Sequence, residues 1–267
     1  MNKQLFFLVA MHRSGNTVFS SIINQNPEIV CTAKSMTLEI MKQLFLIKNM
    51  EIYKNFPDSN SLDNVMDSIY DNYYRDWPQK YIIDRGEWGT PYNYSVMEKY
   101  CPNEFKIIFL LRNPIDVIKS YVKLCNDYPD FYINQQYNEL DKTSLHRTEL
   151  EEKIELITKK EDLVYWSFTA YNFLKDKQNV HFVKYEDFVE DPKKIINGIY
   201  DFLDIPKFEH SFDIKDQFSI NGIEYNDDVL GAPMHKLHTG TIKKFNYPDI
   251  ELPKHIIEKY KGMIYEQ

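Results

Sequence analysis

Arg13-Ser14-Gly15-Asn16-Thr17 follows the apolar run at residues 5–10, in the order strand, loop, helix start. Gly15 is the only glycine before Gly86 in a chain with 8 in all. It stands where the backbone must turn inward and approach a ligand closely. Amides at a helix N-terminus, the hydroxyls of Ser14 and Thr17 and the cation of Arg13 together make an anion cradle, most naturally for a phosphate. A plainer reading also fits, a strand-to-helix turn capped by Ser14. His12, in the same loop, either touches the phosphate or caps the turn.

Arginine usage separates these readings. The only arginines are Arg13, Arg75, Arg85, Arg112 and Arg147, among 32 basic residues. Arg13, Arg85 and Arg112 each follow a proposed buried strand. In a parallel sheet such strand ends converge on one edge, where ligands of open α/β folds bind. A single arginine there would pair with a carboxylate such as Asp84, Glu87 or Asp116. Three always-charged forks on one edge imply a substrate with several anionic groups.

The elements that must position these residues can be read from hydrophobic pattern. Four short apolar runs, 5–10, 81–83, 106–111 and 181–183, read as strands. Unbroken runs, rather than alternation, predict strands covered on both faces, as in a parallel α/β sheet with right-handed crossovers. Asn113 before Pro114 and Asp191 before Pro192 mark helix starts. The later helix carries Ile195, Ile196, Ile199, Tyr200, Phe202 and Leu203 on a helical period and stops before Pro206. One long helix is expected between residues 147 and 175, with Glu149/Lys153 and Glu155/Lys159 paired four apart and Trp166, Ala170, Phe173 and Leu174 buried. Residues 36–77 read as two more helices, and the tail from 207 has no clear pattern. With no repeat, low-complexity block or linker, residues 1–267 are expected to form one domain.

The loop lacks the G-x-x-x-x-G-K-[ST] spacing of nucleoside triphosphatases, and no acidic residue at a strand end is evidently committed to Mg²⁺. It resembles instead the 5′-phosphosulfate loop of sulfotransferases that use 3′-phosphoadenosine 5′-phosphosulfate (PAPS). Their R-S-G-T-T or K-S-G-T-T signature stands here as Arg13-Ser14-Gly15-Asn16-Thr17. Lys106-Ile107-Ile108-Phe109-Leu110-Leu111-Arg112-Asn113-Pro114, followed by Ser120, resembles the family's 3′-phosphate motif. Val183-Lys184-Tyr185-Glu186-Asp187-Phe188, with Asp191-Pro192 and Phe202-Leu203-Asp204-Ile205-Pro206 after it, is similar to the tyrosine-glutamate segment and its helix. Trp166 resembles the tryptophan of the preceding helix. Lys243-Lys244-Phe245 resembles the basic-aromatic element that closes over the 3′-phosphate. The similarities span most of the chain, and the first two motifs are the specific ones.

The resemblance implies a three-layer α/β architecture, a parallel sheet flanked by helices in a P-loop NTPase-like sulfotransferase fold. It implies PAPS as donor and 3′-phosphoadenosine 5′-phosphate (PAP) as product, held by Arg13, Ser14, Gly15, Asn16, Thr17, Arg112, Ser120, Tyr185 and Lys244. The style is nearest to tyrosylprotein-type and related bacterial sulfotransferases, since arginine replaces the lysine of the cytosolic type's loop. Arg85 stands where that branch has a catalytic lysine. The branch's catalytic glutamate would fall near Lys34, and Ala33 and Lys34 are not acids.

The implied reaction is in-line displacement of the sulfuryl group onto a hydroxyl or amine. Arg13 and Arg85 would stabilise the leaving phosphate without a metal. Glu87, Glu39 and His238 are candidate bases, Glu87 first because it lies beside Arg85, unless it simply pairs with that arginine. His235 and His238, three apart, lack a third metal ligand and read as surface or acceptor-pocket residues. Tyrosines and phenylalanines between residues 121 and 137 line an acceptor pocket or pack as core or lid. Two other functions fit the residues: a nucleotide or small-molecule kinase with a degenerate phosphate loop, and a non-catalytic nucleotide-binding protein.

Composition bounds the partners. The net charge of −8 argues against nucleic acid or an anionic membrane. Hydrophobic residues at 43% and aromatics at 15% supply a core. Cys31, Cys101 and Cys125 are an odd, widely spaced set, which predicts neither a disulfide framework nor a thiolate zinc site. The apolar start at residues 5–11 is too short to span a membrane and lacks a cleavage site. A reducing cytoplasm is the expected compartment. Small-molecule, glycan, lipid and peptide acceptors all fit.

Overall fold

The computed structural model describes residues 3–101, 104–142, 147–160 and 163–262. Strand β1 (Gln4–Ala10) leads into helix α1 (Asn16–Ile23), and β2 (Ile29–Cys31) follows. Helices α2 (Thr37–Ile47), α3 (Glu51–Asn55), α4 (Ser59–Asp67) and α5 (Ile69–Tyr73) precede β3 (Tyr81–Arg85) and α6 (Pro91–Tyr100). After β4 (Ile107–Leu111) come α7 (Pro114–Asp127), α8 (Tyr132–Asn138), α9 (Glu149–Glu155) and α10 (Leu163–Leu174). Strand β5 (Val180–Lys184) is followed by α11 (Tyr185–Glu190) and α12 (Pro192–Leu203).

The five strands form one sheet in the order β2-β3-β1-β4-β5, with every neighbouring pair parallel. The unbroken apolar runs are explained by what covers each face. Phe7 and Val9 of β1, Ile82 of β3 and Ile107, Phe109 and Leu111 of β4 pack on one side with α2, α6, α7 and α10. Phe6, Leu8, Ile83, Ile108 and Leu110 face the other side against α1, α11 and α12. Burying a large apolar side chain contributes roughly 1.5–3 kcal/mol, so a strand covered on both faces is stabilised at every position.

Several expectations shift. Strand β2 was missed; at three residues on the sheet edge it carries too little pattern to stand out. Strand β3 runs two residues further than expected, so Arg85 is its last residue rather than lying just past its end. Residues 36–77 hold four helices rather than two. Met50 is extended, and Asp58, after Pro57, starts α4 by accepting from the amide of Ser61. The single long helix expected from 147 to 175 is divided: α9 continues as a π-helical turn, Leu156–Lys160, before α10. Within that turn the Thr158 hydroxyl donates to the Ile154 carbonyl at 2.8 Å, a back-bond that competes with the regular ladder. The Glu149–Lys153 pair forms at 2.5 Å; the expected Glu155/Lys159 pair lies outside the described side chains. Asn113 and Asp191 cap α7 and α12 as the prolines behind them predict.

The tail folds into small ribbons. Strands β6 (Asp213–Ile214), β7 (Ser219–Ile220), β8 (Ile223–Glu224) and β9 (Gly240–Thr241) pair antiparallel as β6 with β9 and β7 with β8, and α13 (Lys254–Lys261) follows. Between the ribbons, residues 225–239 return over the C-terminal ends of the strands. Gly231 pins this return: at φ +67°, a Cβ there would overlap the carbonyl oxygen of Asp130 in the turn between α7 and α8. Among the described residues no helix is long and apolar enough to cross a membrane. Gly231→Ala should lower stability by about 2 kcal/mol or more, from left-handed backbone strain and the overlap together; a urea midpoint equal to that of the unmodified chain would refute this.

Candidate functional site

Parallel register brings the strand ends together: Leu8 pairs with Arg85, Ala10 with Leu110 and Leu111 with Lys184. At this edge lies a cavity of about 1190 Å³, and Arg13, Arg85 and Arg112 all line it. Of the sequence-selected residues, Gly15, Asn16, Thr17, Ser120, Tyr185 and Glu87 also line it. Ser14 is buried beneath the loop. Lys244 is exposed and does not line the cavity, whereas its neighbours Lys243 and Phe245 do.

The loop's conformation explains the cradle. Arg13 and Gly15 both have left-handed backbones, φ +60° and +77°. Ser14 turns inward, and its amide and hydroxyl both donate to the Met11 carbonyl, at 3.2 and 2.5 Å. The reading in which Ser14 caps α1 is therefore corrected. Gly15 occupies the N-cap, with no side-chain hydrogen bond. The first amides of a helix have no partner within it, so an uncapped α1 leaves donors for an anion. A Cβ on Gly15 would stand 3.1 Å from the Tyr185 ring, so this glycine allows both the turn and the close approach.

Arg112 is the tie among the segments. It is 4% exposed. Its Nη1 donates to the carbonyl of Arg13 at 2.6 Å and its Nη2 to that of Phe245 at 3.2 Å. The guanidinium lies 4.2 Å from the centroid of the Tyr185 ring. Its Nε is buried and has no hydrogen-bond partner among the described residues. Tyr185 is fastened in turn by the amide of Phe245, which donates to its hydroxyl at 3.4 Å.

The other two arginines divide their donors between protein and cavity. Arg13 Nε donates to Ser120 Oγ at 3.0 Å and Nη1 to the Met234 carbonyl at 2.8 Å. Arg85 Nη1 donates to the Tyr225 hydroxyl at 2.8 Å. Ser120 also accepts from the Tyr247 hydroxyl at 3.0 Å. Glu87 does not pair with Arg85. It is half exposed and lies 3.9 Å from Lys42, which also binds Glu39 at 3.2 Å. Lys34, where the family branch would have an acid, lines the cavity as a further cation.

Residues that sequence reasoning missed come mostly from the tail: Tyr225, Asp227, Met234 and Tyr247. No local pattern marks them, because each gains its role only by returning to the strand ends. His235 and His238 do line the cavity, in keeping with their reading as pocket residues. No group of three His, Cys, Asp or Glu that could hold a metal occurs among the described residues.

The sulfotransferase domain model matches residues 3–223. The chain belongs to the sulfotransferase family. Its reaction class is therefore sulfuryl transfer from PAPS, and the kinase alternative is not favoured. This sulfotransferase is similar in fold to the sulfotransferase domain from the Synechococcus PCC 7002 olefin synthase, with a TM-score of 0.55, 16% identity, and coverage of 100% of this chain and 96% of that one. It is also similar to the sulfotransferase domain from the curacin biosynthetic pathway, with a TM-score of 0.50, 19% identity, and coverage of 78% and 75%. No curated protein matches the chain.

His12 has a well-defined electrostatic place in the sulfotransferase cavity. Its Nδ1 is 3.0 Å from the Tyr121 hydroxyl. The residue is exposed at the cavity wall, and the protein packed around it, reinforced by Arg85, Lys34 and Arg13, lowers its pKa from 6.5 to about 3. In a nitrogen-correlated NMR titration the His12 imidazole should stay neutral as pH falls through 6.5; protonation near that value would show that cavity water screens the cations.

Proposed function

We propose that the cavity at the strand ends holds PAPS by both of its charged ends and that the phosphate loop and Arg85 activate its sulfuryl group. The observation that carries this reading is the convergence of Arg13, Arg85 and Arg112 on one cavity, where carbonyl and hydroxyl oxygens hold them and no carboxylate among the described residues pairs with them. Three gathered guanidiniums without counter-charge are costly unless an anionic ligand supplies it. The uncapped start of α1 and the close approach at Gly15 fit the same anionic ligand from the other end.

In this reading Gly15, Asn16 and Thr17 offer amides and the Thr17 hydroxyl to the 5′-phosphosulfate, beneath which Ser14 holds the loop in shape. Arg112 and Ser120 serve the 3′-phosphate, and Tyr185 keeps Arg112 flat against its ring. For the basic element near the end, Lys243 and Phe245 line the cavity and Lys244 does not, which favours Lys243 beside Phe245.

As the bond from sulfur to the bridging oxygen breaks, negative charge accumulates on the departing phosphate. Arg13 and Arg85, already oriented by Ser120, Met234 and Tyr225, meet that charge without reorganising. Two guanidiniums supply the stabilisation a metal would otherwise give. Glu87 lines the same cavity and is one candidate for the acceptor's proton.

Leu38, Leu124, Tyr128, Tyr132 and Trp166 also line the cavity and support an acceptor with apolar or aromatic surface. The free state of Cys31, Cys101 and Cys125 supports a reducing, cytoplasmic setting. The return of the tail onto the strand ends supports a single domain.

Arg112→Ala should weaken PAP binding by about 10- to 150-fold, the range for lost charge-assisted hydrogen bonds. Unchanged affinity in calorimetry would remove Arg112 from the site. Arg13→Ala should cut turnover of labelled donor by roughly 10²- to 10³-fold, as for a lost oxyanion donor; turnover close to that of the unmodified enzyme would reject the role.

A further inference from the structure

The donor site leaves one arrangement in the cavity unused. His235 Nδ1 lies 2.6 Å from Asp227 Oδ1. The backbone amide of His235 donates to Asp227 Oδ2 at 2.8 Å. Both carboxylate oxygens thus hold one residue, which fixes the imidazole. Tyr225 closes a face of the ring, with centroids 3.8 Å apart and planes 7° from parallel.

This pair is fastened to both arginines proposed to face the leaving phosphate. The Tyr225 hydroxyl accepts from Arg85, and the carbonyl of Met234, the residue before His235, accepts from Arg13. The pair also lies beyond residues 3–223, the part matched by the family model.

We propose that His235, oriented by Asp227, takes the proton from the acceptor during sulfuryl transfer. The proposal rests on the sulfotransferase reading and deepens it. A carboxylate accepts hydrogen bonds, so the contact with Asp227 keeps the imidazole proton on Nδ1 and the lone pair on Nε2. That Nε2 makes no hydrogen bond to any described residue, and His235 lines the cavity.

In the step, the O–H or N–H bond of the acceptor breaks and its proton passes to Nε2. A lone pair on the acceptor oxygen or nitrogen forms the bond to sulfur. The bond from sulfur to the bridging oxygen breaks, and its electron pair stays on the 5′-phosphate opposite Arg13 and Arg85. Asp227 faces the imidazolium that forms, the orienting role of a third group behind a histidine base.

The charged and titratable groups around His235 set its protonation. Enclosure lowers its pKa first, Asp227 raises it, and Arg85 and Arg13 lower it again; His12 and the stacked Tyr225 are the other titratable neighbours. The net lowering keeps the imidazole neutral, as a base must be. The other candidates are engaged elsewhere: Glu87 and Glu39 with Lys42, His12 with Tyr121, and the exposed His238 against the ring of Phe245.

The test uses the full chain, PAP for binding and radiosulfate-labelled PAPS for turnover, with phenol, alcohol and amine acceptors and water always present as acceptor. His235→Asn should bind PAP within about threefold of the unmodified enzyme and lose about 100-fold or more in turnover, the scale of general-base catalysis. Asp227→Asn should lose less. It should also move the acid limb of the pH–rate profile to lower pH, because the group that raises the His235 pKa is gone. Near-normal turnover by His235→Asn, or the expected loss appearing in Glu87→Gln instead, would overturn the proposal.

If the unmodified chain fails to bind PAP, the donor site itself falls and the proposal with it. Loss of PAP binding confined to the His235 variant would signal misfolding. Nitrogen-correlated NMR of the unmodified protein then decides: a proton on Nδ1 at neutral pH supports the pair, and a proton on Nε2 refutes it.

Discussion

The site depends on how one buried cation is satisfied. Arg112 leaves the end of β4 and reaches the carbonyl of Arg13 in the phosphate loop and that of Phe245 in the tail, while its face rests on Tyr185 at the start of α11. Three segments distant in sequence are joined through this guanidinium. Burying a charge is costly without partners, and backbone carbonyls supply them here without neutralising it. The positive charge therefore remains available at the cavity wall, in a medium where electrostatic interactions are stronger than in water.

Charge is distributed unevenly over the molecule. The chain carries a net −8, yet Arg13, Lys34, Arg85 and Arg112 all border one cavity. Bulk acidity keeps the remaining surface unattractive to polyanions, while the cavity concentrates the opposite sign. The low pKa of His12 follows from the same gathering of cations and from enclosure by protein.

The tail is a working part of the site, although the family model stops at residue 223. Its Met234 carbonyl holds Arg13, its Tyr225 hydroxyl holds Arg85, and its Phe245 carbonyl holds Arg112. Each of the three cavity arginines is thus oriented by a residue from beyond the matched region. Gly231 makes that return possible by packing against Asp130 where no side chain fits.

Much of this was legible in the residues themselves, because strong local signals coincided with real constraints. Apolar runs marked four of the five strands of a doubly covered sheet, proline-backed caps marked α7 and α12, and one scarce glycine marked the left-handed turn into α1. The strand-end positions of Arg13, Arg85 and Arg112 followed from parallel topology alone. Tertiary structure decided the rest: that Ser14 points inward instead of capping α1, that Glu87 meets Lys42 instead of Arg85, that Lys243 borders the cavity while Lys244 does not, and that Asp227, Tyr225 and His235 form one stacked and hydrogen-bonded unit. Local sequence records backbone periodicity and turn chemistry, which act over a few residues. Side-chain partners far apart in the chain are chosen only when the tail folds back, and no short-range pattern encodes that contact.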